Sequence, residues 1–386
     1  MVDRHSFWAG EELPERNRQD LARNAAAYPG YPAGNWNHTL WVHPRGTDLG
    51  GSKSAEELMA SYRAAAEPLG YTVKDLRAEA PALVEGLRDL PENLRNPQML
   101  TDIWAFEMRN NGQISVKDSA VYLVQGAYGG GTSDFSARPD EGAQFSGAEE
   151  VFDRDFAVPM INSNAAIYYL PVDHVTYSED DMDNDDAIAE APQIDIWATW
   201  VKPGSEGQEI MRGASESMIT RYAKMAEASV AQGDVTMVLG PEQGRFVPGE
   251  FSTLASELGK KTNVADPEWA LLPGQLAVHS LYDGIAKVDD RSGRSVKQVP
   301  DEKWPERTLE TGPLGADRTR SLPALNTTKT YEASWKQGRE PVNPAAAYYA
   351  AQSPGMNPRG QGSSYSPPQT GIPRSPASSN NSGRGR

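Results

Sequence analysis

Ile194-Asp-Ile-Trp-Ala-Thr-Trp-Val201 is the stretch on which the fold class turns. Ile194, Ile196, Ala198 and Trp200 share one face at a period of two, the pattern of a strand with one side on a core. The period then changes. Met211, Ala214, Met218, Tyr222, Met225 and Ala226 recur at helical spacing across residues 207–231, and Gly233 stands where a helix cap belongs. Asp234-Val-Thr-Met-Val-Leu239 reads as the next strand. Upstream, Ile114-Ser-Val-Lys117 alternates, and Ala120-Val-Tyr-Leu-Val124 and Ile167-Tyr-Tyr-Leu170 are short apolar runs of buried-strand type. The centre of the chain, residues 113–290, therefore reads as mixed sheet and helix.

The first 112 residues read as helix-rich. Ser54-Ala-Glu-Glu57 has capping-box spacing, Leu58, Tyr62, Ala65 and Leu69 follow on one face, and Gly70 ends the helix. Leu76, Ala80, Leu83, Leu87 and Leu90 form a second apolar stripe, bent or divided by Pro81. Asn96-Pro97 is a helix start, with Met99, Ile103 and Phe106 behind it and Asn110-Asn111-Gly112 as the stop. Residues 291–350 are charge-rich and poor in apolar periodicity, so they read as an extended arm. Residues 351–386 hold 8 Ser, 6 Pro and 6 Gly, with no Leu, Val, Phe or Trp. So little apolar area cannot offset the entropy of ordering, and this tail is expected to be disordered. The fold class is α+β: a helical N-terminal part, a mixed centre, an extended arm and a disordered tail.

The chain has 37 Lys+Arg against 53 Asp+Glu, a formal charge of −16. That acidity argues against a body coated in basic residues for holding nucleic acid. The tail differs: Arg359, Arg374, Arg384 and Arg386 face no acidic residue there. Those four arginines are the candidate nucleic-acid contacts, since a guanidinium fork suits phosphate. Zero cysteine excludes disulfides, thiol nucleophiles and Cys-ligated metal. No apolar run is long enough to span a membrane, and the N-terminus has no apolar segment of signal-peptide type, so no membrane partner and no ordinary secretion are expected.

Linear motifs for chemistry fail on their own terms. Gly126-Ala-Tyr-Gly-Gly-Gly131-Thr-Ser133 lacks the Lys a phosphate loop needs after its last Gly, Thr132 standing there, and reads as a flexible strand-end loop. Between Glu179 and Glu190 seven acids stand without a base. A calcium loop starting at Asp181 would place Asp186 at the sharp-turn Gly and Pro192 at the bidentate Glu, so a solvated acidic loop is the better account. His5, His38, His43, His174 and His279 show no metal-binding spacing. His38 and His43 sit with Trp36 and Trp41 as a packing cluster, and His279, Ser280 and Asp283 supply triad residue types without triad geometry. Tyr168, Tyr169, Trp197 and Trp200 lie on apolar strand candidates and read as core. No catalytic residue, metal ligand or cofactor is assigned from the sequence.

Ala, Pro and Ser together make up 27% of the chain. Pro344-Ala-Ala-Ala-Tyr-Tyr-Ala-Ala-Gln-Ser-Pro354 and Pro373-Arg-Ser-Pro-Ala-Ser-Ser379 carry the enrichment. In this the chain resembles the proline-alanine-serine-rich proteins of polymycoviruses, which coat a double-stranded RNA genome. The resemblance implies a non-enzymatic, self-assembling coat or capsid-like protein, found in the virion and the host cytoplasm. Its partners would be further copies of itself and double-stranded RNA. Two other readings stay open: a cytosolic scaffold whose tail binds a partner, and an enzyme without a linear motif.

Overall fold

The computed structural model describes residues 1–109, 113–146, 149–161, 193–194, 196–231, 273–288, 307–313, 315 and 319–330. Residues 1–341 form one compact unit and 342–386 a second, and every described residue belongs to the first. The chain opens with β1 (Val2–Gly10), α1 (Glu15–Ala27), β2 (Trp36–Pro44), α2 (Ala55–Ala66) and β3 (Tyr71–Asp75). β1 runs parallel to β2 from Val2 opposite Trp36 to Gly10 opposite Pro44, and β2 runs parallel to β3 from His38 opposite Tyr71 to Val42 opposite Asp75. Three helices follow: α3 (Leu76–Glu85), α4 (Pro97–Arg109) and α5 (Gln113–Tyr128). β4 (Gly130–Ser133) then pairs parallel with β1 on the side away from β2.

Beyond β4 the sheet becomes mixed. The remaining elements are β5 (Ala137–Pro139), α6 (Glu150–Asp153), β6 (Phe156–Ile161), β7 (Gln193–Ile194), β8 (Ala198–Val201), α7 (Glu206–Ala231), α8 (Pro273–Val288), β9 (Thr308–Glu310), β10 (Thr319–Leu322) and β11 (Thr327–Thr330). The main sheet has the order β3-β2-β1-β4-β8-β6-β7, with β9 also paired to β6, and β8 is antiparallel to both of its neighbours. β10, β11 and β5 form a small antiparallel sheet beside it. This is an α+β architecture, in agreement with the class read from the sequence. Within 291–350, the described residues include β9, β10 and β11, each hydrogen-bonded into a sheet.

Helices cover both faces of the parallel part. On one face Leu21, Leu58 and Tyr62 of α1 and α2 pack on Leu40 and Val42. On the other, Leu83, Trp104, Val121, Met211 and Leu281 of α3, α4, α5, α7 and α8 join Phe7 and Trp41 in the largest core cluster. A third cluster of aromatic rings, including Tyr28, Trp36, Phe145, Phe152, Trp197 and Trp200, packs the small sheet against the main one.

Local signals fall where they were read. Ser54 caps α2 in a complete capping box with Glu57, and Gly70 closes that segment in the left-handed conformation at φ 86°. Asn96 Oδ1 accepts from the Gln98 N–H at 2.9 Å at the start of α4. Met211, Ala214, Met218 and Tyr222 are buried along α7, while the Met225 and Ala226 side chains, like the candidate strands 167–170 and 234–239, lie outside the described residues.

Three strand expectations are corrected. Residues 120–124 lie inside α5, where Ala120, Val121, Tyr122, Leu123 and Val124 are all buried. A helix enclosed on every side loses its polar stripe, and its apolar run then matches that of a buried strand. Residues 114–117 are in the same helix. The stretch 194–201 is divided into β7 and β8 by a turn at Ile196-Trp197, and both Trp197 and Trp200 are buried in the same aromatic cluster, where the Phe152 ring meets Trp200 at 4.9 Å.

The end of β1 is held by α2. The Tyr62 hydroxyl lies 2.9 Å from the Gly10 carbonyl and 2.7 Å from that of Glu11. Tyr62→Phe removes this hydroxyl while the Gly10 and Glu11 carbonyls keep the Arg45 N–H and the Trp8 indole as donors, so it should cost about 0.5–1.5 kcal/mol, seen as a lower urea midpoint with an unchanged slope. An unchanged midpoint would show that the hydroxyl contributes nothing to holding this turn.

Candidate functional site

The order of the parallel strands reverses at β1. From β1 the chain steps outward to β2 and β3, with α1 and α2 on one face, whereas β4 joins the opposite side of β1 and is reached through α5 on the other face. In open α/β sheets such a reversal leaves a crevice at the carboxyl ends of the two strands, where ligands bind. Here that edge lies between the ends of β1 and β4. The turn at Gly129 is all that separates α5 from β4, so the two run antiparallel and the first turn of α5 comes to the same edge.

The glycine run 126–131, expected as a strand-end loop, is instead the helix-to-strand turn at the opposite, amino end of β4. Gly129 and Gly130 have φ of 70° and 90°, and a Cβ on Gly130 would stand 2.5 Å from the Asp3 carbonyl. Only glycine fits that approach.

Around the carboxyl edge the side chains are polar and tied in place. The Trp8 indole N–H donates to the Glu11 carbonyl at 2.7 Å, and its ring meets Phe135 edge-on at 6.2 Å, bridging the ends of β1 and β4. Ser52 Oγ donates to the Glu11 carboxylate at 2.6 Å, and Lys53 pairs with Glu12. The N–H of the buried Arg45, just past β2, donates to the Gly10 carbonyl at 2.6 Å.

At the end of β4 four charges converge. Lys117, in the first turn and a half of α5, contacts Asp134 Oδ1 and lies 3.2 Å from Asp118 Oδ1, while Lys329 of β11 reaches Asp134 Oδ2 at 2.5 Å. Burial by itself would raise the Asp134 pKa, but the ammonium charges of Lys117 and Lys329 outweigh it and hold the group at about 2. Burial likewise works against the Lys117 ammonium, and Asp134 and Asp118 reverse that and push its pKa up. Asp118 is raised by burial, with Lys117 opposing. Asp134 is therefore a carboxylate, and Lys117 an ammonium, throughout the physiological range. This group was not read from the sequence, where its members are ordinary isolated charges spread over more than 200 positions. The one available signal was an Asp directly after a short strand that itself follows a glycine turn.

The residues singled out earlier do not assemble into a site. His5, His38 and His43 are buried on β1 and β2. Asp283 lies 2.6 Å from Arg221 and 2.5 Å from Ser217, and Ser280 is buried in α8, so Asp283 and Ser280 form no catalytic pair. The His279 side chain, His174, the acidic run 179–190 and Arg359, Arg374, Arg384 and Arg386 lie outside the described residues. Among the described residues there is no cluster of three or more His, Asp or Glu placed to hold a metal ion, and no helix long and apolar enough to cross a membrane.

No family model and no curated protein matches the chain. It is similar to solved structures of toxin glycosyltransferases. The PaToxG glycosyltransferase is 13% identical at a TM-score of 0.36, the match covering 79% of this chain and 83% of that one. The UDP-bound glycosyltransferase domain from the YGT toxin is 9% identical at 0.37, covering 79% and 80%. The ligand-free form of that domain is 12% identical at 0.34, covering 78% and 80%. These neighbours correct the expectation of a non-enzymatic coat, capsid or virion protein, because they are glycosyltransferase domains, and the enzyme alternative agrees with them better. The coat reading drew on the composition of residues beyond 340, whereas the described body is an open sheet with a strand-order reversal.

Proposed function

We propose that this protein is an enzyme that takes a phosphate-bearing, nucleotide-type ligand at the carboxyl edge between β1 and β4. The observation that carries this reading is the strand order β3-β2-β1-β4, with parallel strands on both sides of β1 and helices on both faces. Sheets of this order bind nucleotides at the reversal, because strand ends, helix N-terminal turns and outgoing loops converge there. Trp8 and Phe135 offer aromatic surface at that edge, and Lys117 and Lys329 offer positive charge. The reaction class assigned is group transfer. Glycosyl transfer from a nucleotide sugar is the first activity to assay, being the one that the similar solved structures are named for.

The test is calorimetric titration of the full chain with a panel of nucleoside diphosphates and their sugar conjugates. At least one should bind with a micromolar Kd, and the matching sugar nucleotide should be consumed on incubation with the protein. No binding across the panel up to millimolar concentration would overturn the reading.

A further inference from the structure

Each carboxylate oxygen of Asp134 is taken by a different lysine on a different element: Oδ1 by Lys117 of α5 and Oδ2 by Lys329 of β11. The Lys117 and Asp134 side chains keep 22% and 23% of their surface in solvent, so the pair is reached from outside, while Asp118 and Lys329 lie deeper. The loop before β8 closes the group from below. The Trp197 carbonyl accepts the Asp134 N–H at 2.7 Å, and its ring lies 6.0 Å from Lys329 Nζ. The buried Trp197 indole N–H has no acceptor.

Four largely buried charges are a poor device for stability alone, since apolar side chains of similar volume do as well or better. Their place in the fold suggests another use. Two ammonium groups from separate elements, joined by the first turns of a 16-residue helix whose N-terminal end carries partial positive charge, make an anion seat. In this structure the Asp134 carboxylate sits between them.

We propose that Lys117 and Lys329 are the phosphate-holding groups of this edge, and that Asp134 is an internal anion that occupies them until a phosphate-bearing ligand displaces it. The inference rests on the reading of the β1–β4 edge as a ligand site. The positive charge comes from the chain's own ammonium groups, so the seat binds a diphosphate without a divalent cation. Asp134 is then a competitor for the seat and sets its affinity, while Asp118 keeps Lys117 in position.

The probe is inorganic pyrophosphate, titrated calorimetrically into the full chain in excess EDTA. The wild type should bind it, Lys117→Gln and Lys329→Gln should each weaken binding at least tenfold, and Asp134→Asn should tighten it severalfold because the lysines lose their internal partner. A purely structural ion network predicts no tightening in Asp134→Asn. An Asp134→Asn protein that is folded by circular dichroism and binds no tighter would overturn the proposal, as would wild-type binding that appears only on adding Mg²⁺ or Mn²⁺. If the variants fail to fold, the wild type still decides. Pyrophosphate should protect Lys117, the lysine of the pair that solvent reaches, from acetylation, mapped by mass spectrometry, and equal labelling with and without it would overturn the seat. Pyrophosphate carries no base or sugar, so binding that holds while every nucleotide fails leaves the seat and removes the nucleotide reading. Nucleotide binding undiminished in both folded lysine variants does the reverse.

Discussion

Acidification from pH 6.5 to 4 is expected to unfold this protein, driven by three histidines held neutral in its sheet. His5, His38 and His43 are buried, and burial is the main cause that lowers each pKa from 6.5 to about 4. The hydrogen bonds at His5 specify one neutral tautomer. The Trp41 indole can only donate, so at 3.1 Å it makes His5 Nδ1 an acceptor, and Nε2 carries the proton given to the Gly129 carbonyl at 3.0 Å. His38 donates from Nε2 to the Tyr28 carbonyl at 2.6 Å, leaving Nδ1 buried without a partner. Both ring nitrogens of His43 are buried without hydrogen bonds. The folded state thus binds fewer protons than the unfolded chain below pH 6.5. The stability these groups allow is complete above pH 6.5 and lost as pH falls toward 4, by about 3 kcal/mol per histidine.

Glu107 works in the opposite sense. Burial raises its pKa to about 8, with the Tyr222 hydroxyl 3.1 Å from its carboxyl, so it stabilises most at low pH and loses that contribution as pH rises from 4.5 to 8. Within the window from 6.5 to 4 it returns about 3 kcal/mol against a loss of about 10, and a net loss of that size rivals the whole stability of a domain. Urea midpoints measured from pH 8 to 4 should fall steeply below 6.5, and His43→Leu should shallow the slope. A flat profile down to pH 5 would show that these rings do not remain neutral in the fold.

A second large effect is expected at the crossing of α7 and α8. A Cβ on Gly284 would stand 2.2 Å from the Ile210 carbonyl oxygen and 2.8 Å from the Ala214 nitrogen, and one on Gly213 would stand 3.0 Å from the Gly284 Cα. The two helices therefore touch backbone to backbone, and a side chain at Gly284 must push them apart. Gly284→Leu should cost about 3 kcal/mol or more, the upper range for an overpacked core. The Tyr122 hydroxyl of α5 donates to the Ala277 carbonyl of α8 at 2.6 Å, so displacement of α8 is passed to the helix that carries Lys117. Pyrophosphate affinity should fall with stability in this variant. Gly86→Ala is the control: φ is −72° and nothing lies within 4 Å of its added Cβ, so it should be neutral or stabilising by up to about 1 kcal/mol. Thermal melts of the two variants check both statements, and a Gly284→Leu melt equal to that of the wild type would remove the close crossing.

Several elements were legible because their signals are local. The Ser54–Glu57 capping box, the Asn96-Pro97 start of α4 and the stripe from Met211 to Tyr222 each need only neighbours in sequence to act. The α+β class follows from such segments. β1 was not legible. Its residues Val2 to Gly10 alternate no apolar face, since Arg4, His5 and Ser6 are buried with polar partners. One Arg4 nitrogen, for example, donates to Asn24 at 2.8 Å and to Ser133 at 2.7 Å, and the latter residue is 129 positions away. Residues 120–124 took helical rather than strand form because α5 is covered on all sides, which is a property of what packs around it.

The candidate site belongs to the tertiary structure altogether. Lys117 and Asp134 stand 17 positions apart, and Lys329 a further 195 beyond Asp134. The Gly129 turn and the pairing of β11 with β5 bring them to one strand end. By itself the sequence determined where helices start, cap and present an apolar face, because backbone hydrogen bonds and periodic burial act over a few residues. Strand order, the reversal at β1 and the charges gathered beside it were decided only in three dimensions, because a parallel sheet joins residues whose sequence separation leaves no periodic trace.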